Sequence, residues 1–316
     1  MDLSVTAPGK KGSKLGFQVP SAEYILDSFG NCRTVDNGNA SRYGKYTELQ
    51  FAENGKLMGA KTLDYYLQKN RLIGHGANER NFHIFYYLVA GATEEEKEFL
   101  HIRDTEFKYL GGGRAHKDAA KEDSAKFQRI RQAFKNVGLS KRQVASICQV
   151  LAAILHLGNV EFYQDRHRTQ DSASVRNPEV LHLVANFLGT DPKALEESLT
   201  YKTKMIKNEV CTILLDADGS ANNRDDLAKS LYGLLFAWLN EHINERLCRD
   251  DFETFIGVLD LPGFENLNKG NSLDQFIVNF ANESMHRWML QSTFERKMDE
   301  YADEGIKHLP PDVPFF

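Results

Sequence analysis

A helix-rich α/β fold with few strands is predicted by three features of the 316-residue chain. Leu227, Leu231, Leu234, Leu235, Trp238, His242 and Ile243 lay an apolar stripe at helical spacing. Two β-rich runs, 45–52 and 57–64, flank Asn54-Gly55, a pair that tolerates positive φ and marks a hairpin. Residues 254–261 (TFIGVLDL) form a near-continuous apolar run, expected of a central parallel strand covered on both faces.

In chain order, residues 7–20 are rich in Gly, Pro and Lys and are expected to be a flexible segment, followed by a short helix over 21–29. An aromatic helix is predicted over 80–90, with others over 94–103 and 124–136. The triplet Gly111-Gly112-Gly113 between them reads as a connection, since no strand leads in and no Lys-Ser follows. Ser140 and Gln143 make a capping box for a helix ending at Gly158, and further helices are expected over 178–189 and 192–199. Residues 204–215 read as a strand, with Asp218 to Asn223 as an exposed hairpin tip. Ser272 and Gln275 cap a last helix reaching roughly to Tyr301.

Composition excludes several classes. A net charge of −5 argues against general nucleic-acid binding. Four scattered cysteines without a C-x-x-C pair argue against a disulfide frame or zinc site. No apolar run approaches the ~20 residues of a membrane helix, and the first thirty residues lack a signal-peptide core. The chain itself is therefore expected to be cytoplasmic.

Two motifs carry chemistry. Asn37 to Lys45 reads N-x-N-x-S-R-x-G-K, and Asp260 to Glu265 reads D-L-P-G-F-E. Nucleotide hydrolysis needs a magnesium ion held by hard oxygens, donors aimed at the γ-phosphate and a positioned water. Ser41 and Asp260 can supply the metal-side oxygens, and Asn37 and Asn39 can hydrogen-bond phosphates or ribose. Gly263 lets its backbone N–H approach a phosphate without a Cβ in the way, while Arg42 and Glu265 could close across the site as a salt bridge. Either segment alone reads more readily as a surface turn or strand-ending loop; their conjunction is what points to a nucleotide site.

With Ile25 to Asn31, Arg80 to Phe85, Leu151 to Val160, Arg224 to Glu245 and Asn271 to Glu283, these motifs make the chain similar to the myosin motor domain over nearly its whole length. It more narrowly resembles the myosin-like N-terminal domain of fungal class V chitin synthases, on Ala7 to Lys14, Lys61 to Leu67, Arg249 to Phe252 and the D-L-P-G form of the second motif. The resemblance implies a partial phosphate-loop NTPase-type motor core over residues 21–316. Switch I and its hairpin would occupy 21–64, a helical upper region 65–250, and switch II with the relay helix 251–316. It implies Mg-ATP as the family's cofactor, actin as a partner through Lys202, Lys204 and Lys207, and a membrane-associated chitin synthase as the parent chain.

Departures from the motor pattern limit that transfer. The sequence contains no G-x-x-x-x-G-K-[ST], so the phosphate loop and its strand are expected to lie outside this chain. Ala40 stands where motors usually have a second serine, and Pro262 removes an N–H from the second motif. The segment Ser284 to Trp288 lacks the glutamine of the Q-x-x-R-W that chitin synthesis requires, so no glycosyl transfer is expected. The readings are then a non-catalytic myosin-like module, an actin-stimulated ATPase motor, or a divergent fragment without a role of its own.

Overall fold

The computed structural model describes residues 14–76, 78–111, 119–164, 172–207, 209–267 and 270–306. The chain divides into two compact units, Met1–Asp260 and Leu261–Phe316.

The larger unit opens with α1 (Lys14–Gly30), followed by two short paired strands, β1 (Asn31–Cys32) and β2 (Ala40–Ser41), and then the hairpin β3 (Tyr43–Phe51) and β4 (Leu57–Leu67). Helices α2 (His83–Gly91), α3 (Glu94–Phe99), α4 (Ala120–Asn136) and α5 (Lys141–Gly158) come next. A small ladder, β5 (Phe162–Tyr163) with β6 (Ser174–Val175), precedes α6 (Pro178–Leu188) and α7 (Pro192–Thr200). The hairpin β7 (Tyr201–Ile206) and β8 (Glu209–Leu214), the long helix α8 (Ala217–Leu247) and β9 (Thr254–Asp260) complete the unit.

Its core is helical. Phe29, Phe82, Phe85, Phe134, Tyr232 and Phe236 are almost wholly buried, and Tyr232 stacks on Phe29, Phe82 and Phe85 with ring centroids 4.8–6.5 Å apart. Arg80 and Asp123 form a buried ion pair tying the loop before α2 to α4, with the Arg80 guanidinium also 3.8 Å from the Tyr86 ring centroid. A buried pair of this kind needs its full set of partners, and Asp123 accepts two hydrogen bonds from Arg80.

The predicted hairpin is present, and Gly55 has φ +74°. Four sequence-based expectations are corrected. Of the segment expected to be flexible over 1–20, residues 1–13 lie outside the described residues, and 14–20 are the first turns of α1, despite Pro20, because Leu15 and Val19 pack on buried apolar clusters and that burial outweighs weak local propensity. The single strand expected over 204–215 is a two-stranded hairpin turning at Lys207, which takes φ +48°. Asp218 to Asn223 are the first turns of α8, where the Asp216 side chain caps the Gly219 N–H. The strand expected to be central and parallel is antiparallel to β3 and lies at one edge of a three-stranded sheet ordered β4-β3-β9. Of the Gly111 triplet, Gly112 and Gly113 lie outside the described residues.

The smaller unit contains α9 (Leu273–Leu290), a π-helical stretch over Gln291–Glu295, and α10 (Arg296–Asp303). The predicted capping box at Ser272 and Gln275 is formed.

Candidate functional site

The first motif is a turn leading into a strand. Asn37 Oδ1 accepts the Asn39 N–H (2.9 Å), and Thr34 donates to the Asn37 carbonyl, so the loop closes on its own side chains. β2 then pairs Ser41 with Asn31 and Ala40 with Cys32. Arg42 follows, buried, with its N–H donating to the Gly30 carbonyl (2.9 Å) and its own carbonyl accepting from Gln68 (2.8 Å). The end of α1 and the end of β4 thereby clamp the arginine backbone.

Asn39 is oriented from outside the motif. Its Oδ1 accepts from Asn31 Nδ2 (3.3 Å) and meets His83 Nε2 at 3.0 Å. Burial above all, then the charges of Arg80, Lys126 and Arg71, pushes the His83 pKa down to about 3. The imidazole is therefore neutral at pH 7, and its Nε2–H tautomer makes this bond.

The strand pairing brings Asp260, the last residue of β9, opposite Lys45 of β3. Lys45 is almost completely buried, and its Nζ lies 3.0 Å from Asp27, 3.2 Å from Glu23 and 3.9 Å from Asp260. Burial pulls the ammonium pKa down, but Asp27 and Glu23 more than offset it and the net shift is upward. Beside them the Tyr43 phenol is pushed well above its ordinary value, first by burial and then by the charges of Asp27, Glu23 and Asp260. Lys45 and Asp260 thus lie where the hairpin, β9 and α1 meet.

The rest of the second motif, Leu261 to Glu265, lies in the smaller unit and is clasped by α9. Asn279 accepts the Glu265 N–H (2.9 Å) and donates to its carbonyl (2.7 Å), Gln275 Nε2 donates to Glu265 Oε2 (3.2 Å), and Asn282 donates to the Pro262 carbonyl (2.7 Å). Open space surrounds the place where a Cβ on Gly263 would stand, so local packing does not demand glycine there. Lys202, Lys204 and Lys207 are exposed along β7 and its turn, next to exposed Met205 and Val210.

Several positioning residues escape motif reading. Gln275, Asn279 and Asn282 recur at helical spacing on one side of α9, a signal legible in sequence. His83 lies forty-four residues from Asn39, and Lys45 eighteen and twenty-two from its carboxylates; no periodicity links them.

A corner built this way, on an antiparallel hairpin fed by a long helical core, has a family. Residues 4–313 match the myosin head (motor domain) family, and the chain belongs to it. Within that family it is 69% identical to chitin synthase 8 of Mycosarcoma maydis over its whole length, covering 16% of that protein. It is 46% identical to chitin synthase 5 of Cryptococcus neoformans var. grubii over 99% of the chain, again covering 16%. Against unconventional myosin heavy chain 6 of Caenorhabditis elegans the identity is 35% over 92% of the chain, covering 14% of that protein. The chain thus spans about one-sixth of the curated chitin synthases it matches.

Proposed function

We propose that the chain is the myosin-like module of a larger fungal chitin synthase polypeptide, serving its delivery or anchoring at the site of cell-wall synthesis through protein contacts rather than ATP turnover. The observation that carries this reading is β9. It is apolar, it lies at the sheet edge, and Phe255, Ile256 and Leu259 are 53%, 57% and 44% exposed. Apolar side chains alternating on both faces of an edge strand call for cover from further polypeptide.

The residues present do not by themselves fit Mg-ATP. Asp260 faces the Lys45 ammonium, which competes with a metal ion for the same carboxylate. Asn31 Oδ1 is buried with no partner among the described residues, an acceptor that a phosphate oxygen would not satisfy. The sequence also has no phosphate-loop lysine motif. No described helix is long and apolar enough to cross a membrane, so membrane association on this reading comes from the rest of the parent chain.

The pairing of Asp260 with Lys45 at the end of β9, and the hydrogen bonds from α9 to Pro262 and Glu265, support a second reading in which a longer chain supplies the phosphate loop. On that reading Arg42 and Glu265 keep the switch roles the family resemblance implies, and the β7–β8 hairpin with Lys202, Lys204 and Lys207 would touch actin.

Two measurements decide. The purified 1–316 chain is expected to show no actin-stimulated ATP turnover; measurable turnover overturns the non-catalytic reading. Deleting these residues from the parent chitin synthase is expected to leave chitin synthesis by isolated membranes intact while the enzyme fails to concentrate at growth sites. Normal localisation after deletion would sink the proposed role.

A further inference from the structure

Away from the two motifs, a recess of about 350 Å³ in the larger unit gathers four basic side chains from separate segments. Lys14 comes from the start of α1, Lys135 and Arg246 from the last turns of α4 and α8, and Arg249 from the chain just beyond α8. No carboxylate lines the recess. Among the described residues, none of the four cations takes part in an ion pair. Helix C-termini favour nearby cations, which accounts for Lys135, Arg246 and Arg249; Lys14, at the start of α1, has no such explanation.

The recess is built rather than incidental. Gln18, itself buried, donates to the Asn136 carbonyl (3.1 Å) and pins α1 against the end of α4. Gly138 follows that helix with φ +82°, and a Cβ there would stand 2.2 Å from Arg246 Nη1. The guanidinium therefore packs against Gly138, whose positive φ an L side chain rarely adopts.

Like charges drawn together in a concave wall raise one another's energy and focus a positive potential that a counter-anion relieves. Arginine's planar fork matches phosphate oxygens in pairs, and the volume is at the low end for a small-molecule site, too small to seat an acidic helix. We propose that this recess binds a small ligand carrying clustered phosphate groups, of the class of a phosphorylated inositol headgroup or a free polyphosphate. The site is separate from the nucleotide motifs and requires no phosphate loop.

The test uses the 1–316 chain at about 0.1 M salt, with calorimetric titration of pyrophosphate and of inositol hexakisphosphate. In parallel, the chain is sedimented with phosphatidylcholine vesicles with and without phosphatidylinositol 4,5-bisphosphate. Binding is expected to weaken at least ~10-fold in the double variant R246Q/R249Q and to stay within ~2-fold in K121Q/K193Q, which removes equal charge elsewhere, a contrast expected of paired phosphate contacts rather than diffuse charge. Should R246Q/R249Q fold poorly, K14Q/K135Q makes the same test from other elements. Capture by the phosphoinositide vesicles, competed by soluble inositol hexakisphosphate, identifies a headgroup. Binding of soluble ligands without vesicle capture identifies a free polyphosphate. No binding by the unaltered chain, or equal loss in K121Q/K193Q, overturns the proposal.

Discussion

Helix α5 in the larger unit and helix α9 in the smaller are each eighteen residues long, and both begin with a formed capping box, Ser140 with Gln143 and Ser272 with Gln275. Their fates diverge after the first turn. α5 buries ten residues, with Leu151, Ile154, Leu155 and Leu157 wholly inaccessible, whereas α9 buries only Gln275 and Val278. Phe276 and Phe280 on α9 are each 67% exposed, and Trp288 is 57% exposed. Capping and apolar spacing specify that a helix forms; what covers its apolar side is a separate matter, settled by neighbours. Among the described residues α5 has its neighbours in α6 and α8, and α9 has few.

The largest effect that could break this contrast is a truncation made in both helices. Ile154→Ala removes a fully buried side chain from close-packed surroundings and is expected to cost about 2–5 kcal/mol. Phe280→Ala, a larger deletion, is expected to move stability by no more than about 0.5 kcal/mol, because its ring is already in water. Urea unfolding followed by tryptophan fluorescence and circular dichroism reads both. A cost at Phe280 matching that at Ile154 would mean that α9 is covered in solution.

Acid provides the next contrast. Burial depresses His156 on α5, His83 on α2 and His242 on α8, all in the larger unit. A histidine whose folded pKa lies below its unfolded value of about 6.5 stabilises above that pH, and the contribution is lost as pH falls, since the unfolded chain takes up the proton first. For His83, whose folded pKa is about 3, the slope below about pH 6 approaches ~1.4 kcal/mol per pH unit. Urea midpoints should therefore drop between pH 7 and pH 5, and His83→Phe, which retains stacking on Tyr87, should flatten the slope. An unchanged slope in that variant would show that His83 is not the titrating group.

How much was legible in sequence follows the range of each signal. The Asn54-Gly55 turn and both capping boxes are written within four residues and formed as expected. The apolar run of β9 was legible as a strand, but its partner was not: a run of this kind fits a covered parallel strand or an antiparallel one at an edge, and only pairing with β3 decides. Composition misled at Lys14 to Pro20, where packing of Leu15 and Val19 wins over glycine and proline. At the candidate site, the motif residues announced themselves by type. The groups that orient them, His83 for Asn39 and Lys45 for Asp260, act through distant contacts that spacing does not encode.

The smallest effect sharpens the comparison most, because it holds local chemistry fixed. In each box the serine hydroxyl accepts a backbone N–H of the first turn, that of Gln143 for Ser140 and of Asp274 for Ser272, while the glutamine side chain returns to the serine N–H. Removing either hydroxyl with Ser→Ala is expected to cost about 1 kcal/mol of helix stability. In Ser140→Ala that loss falls on a helix integral to the core, so the global unfolding midpoint should shift by the full amount. In Ser272→Ala it falls on a helix with little packing, so the loss should appear as faster amide hydrogen exchange along α9 with the global midpoint unchanged. Equal midpoint shifts in the two variants would show that the two units unfold as one, and that α9 owes its stability to contacts beyond its own first turn.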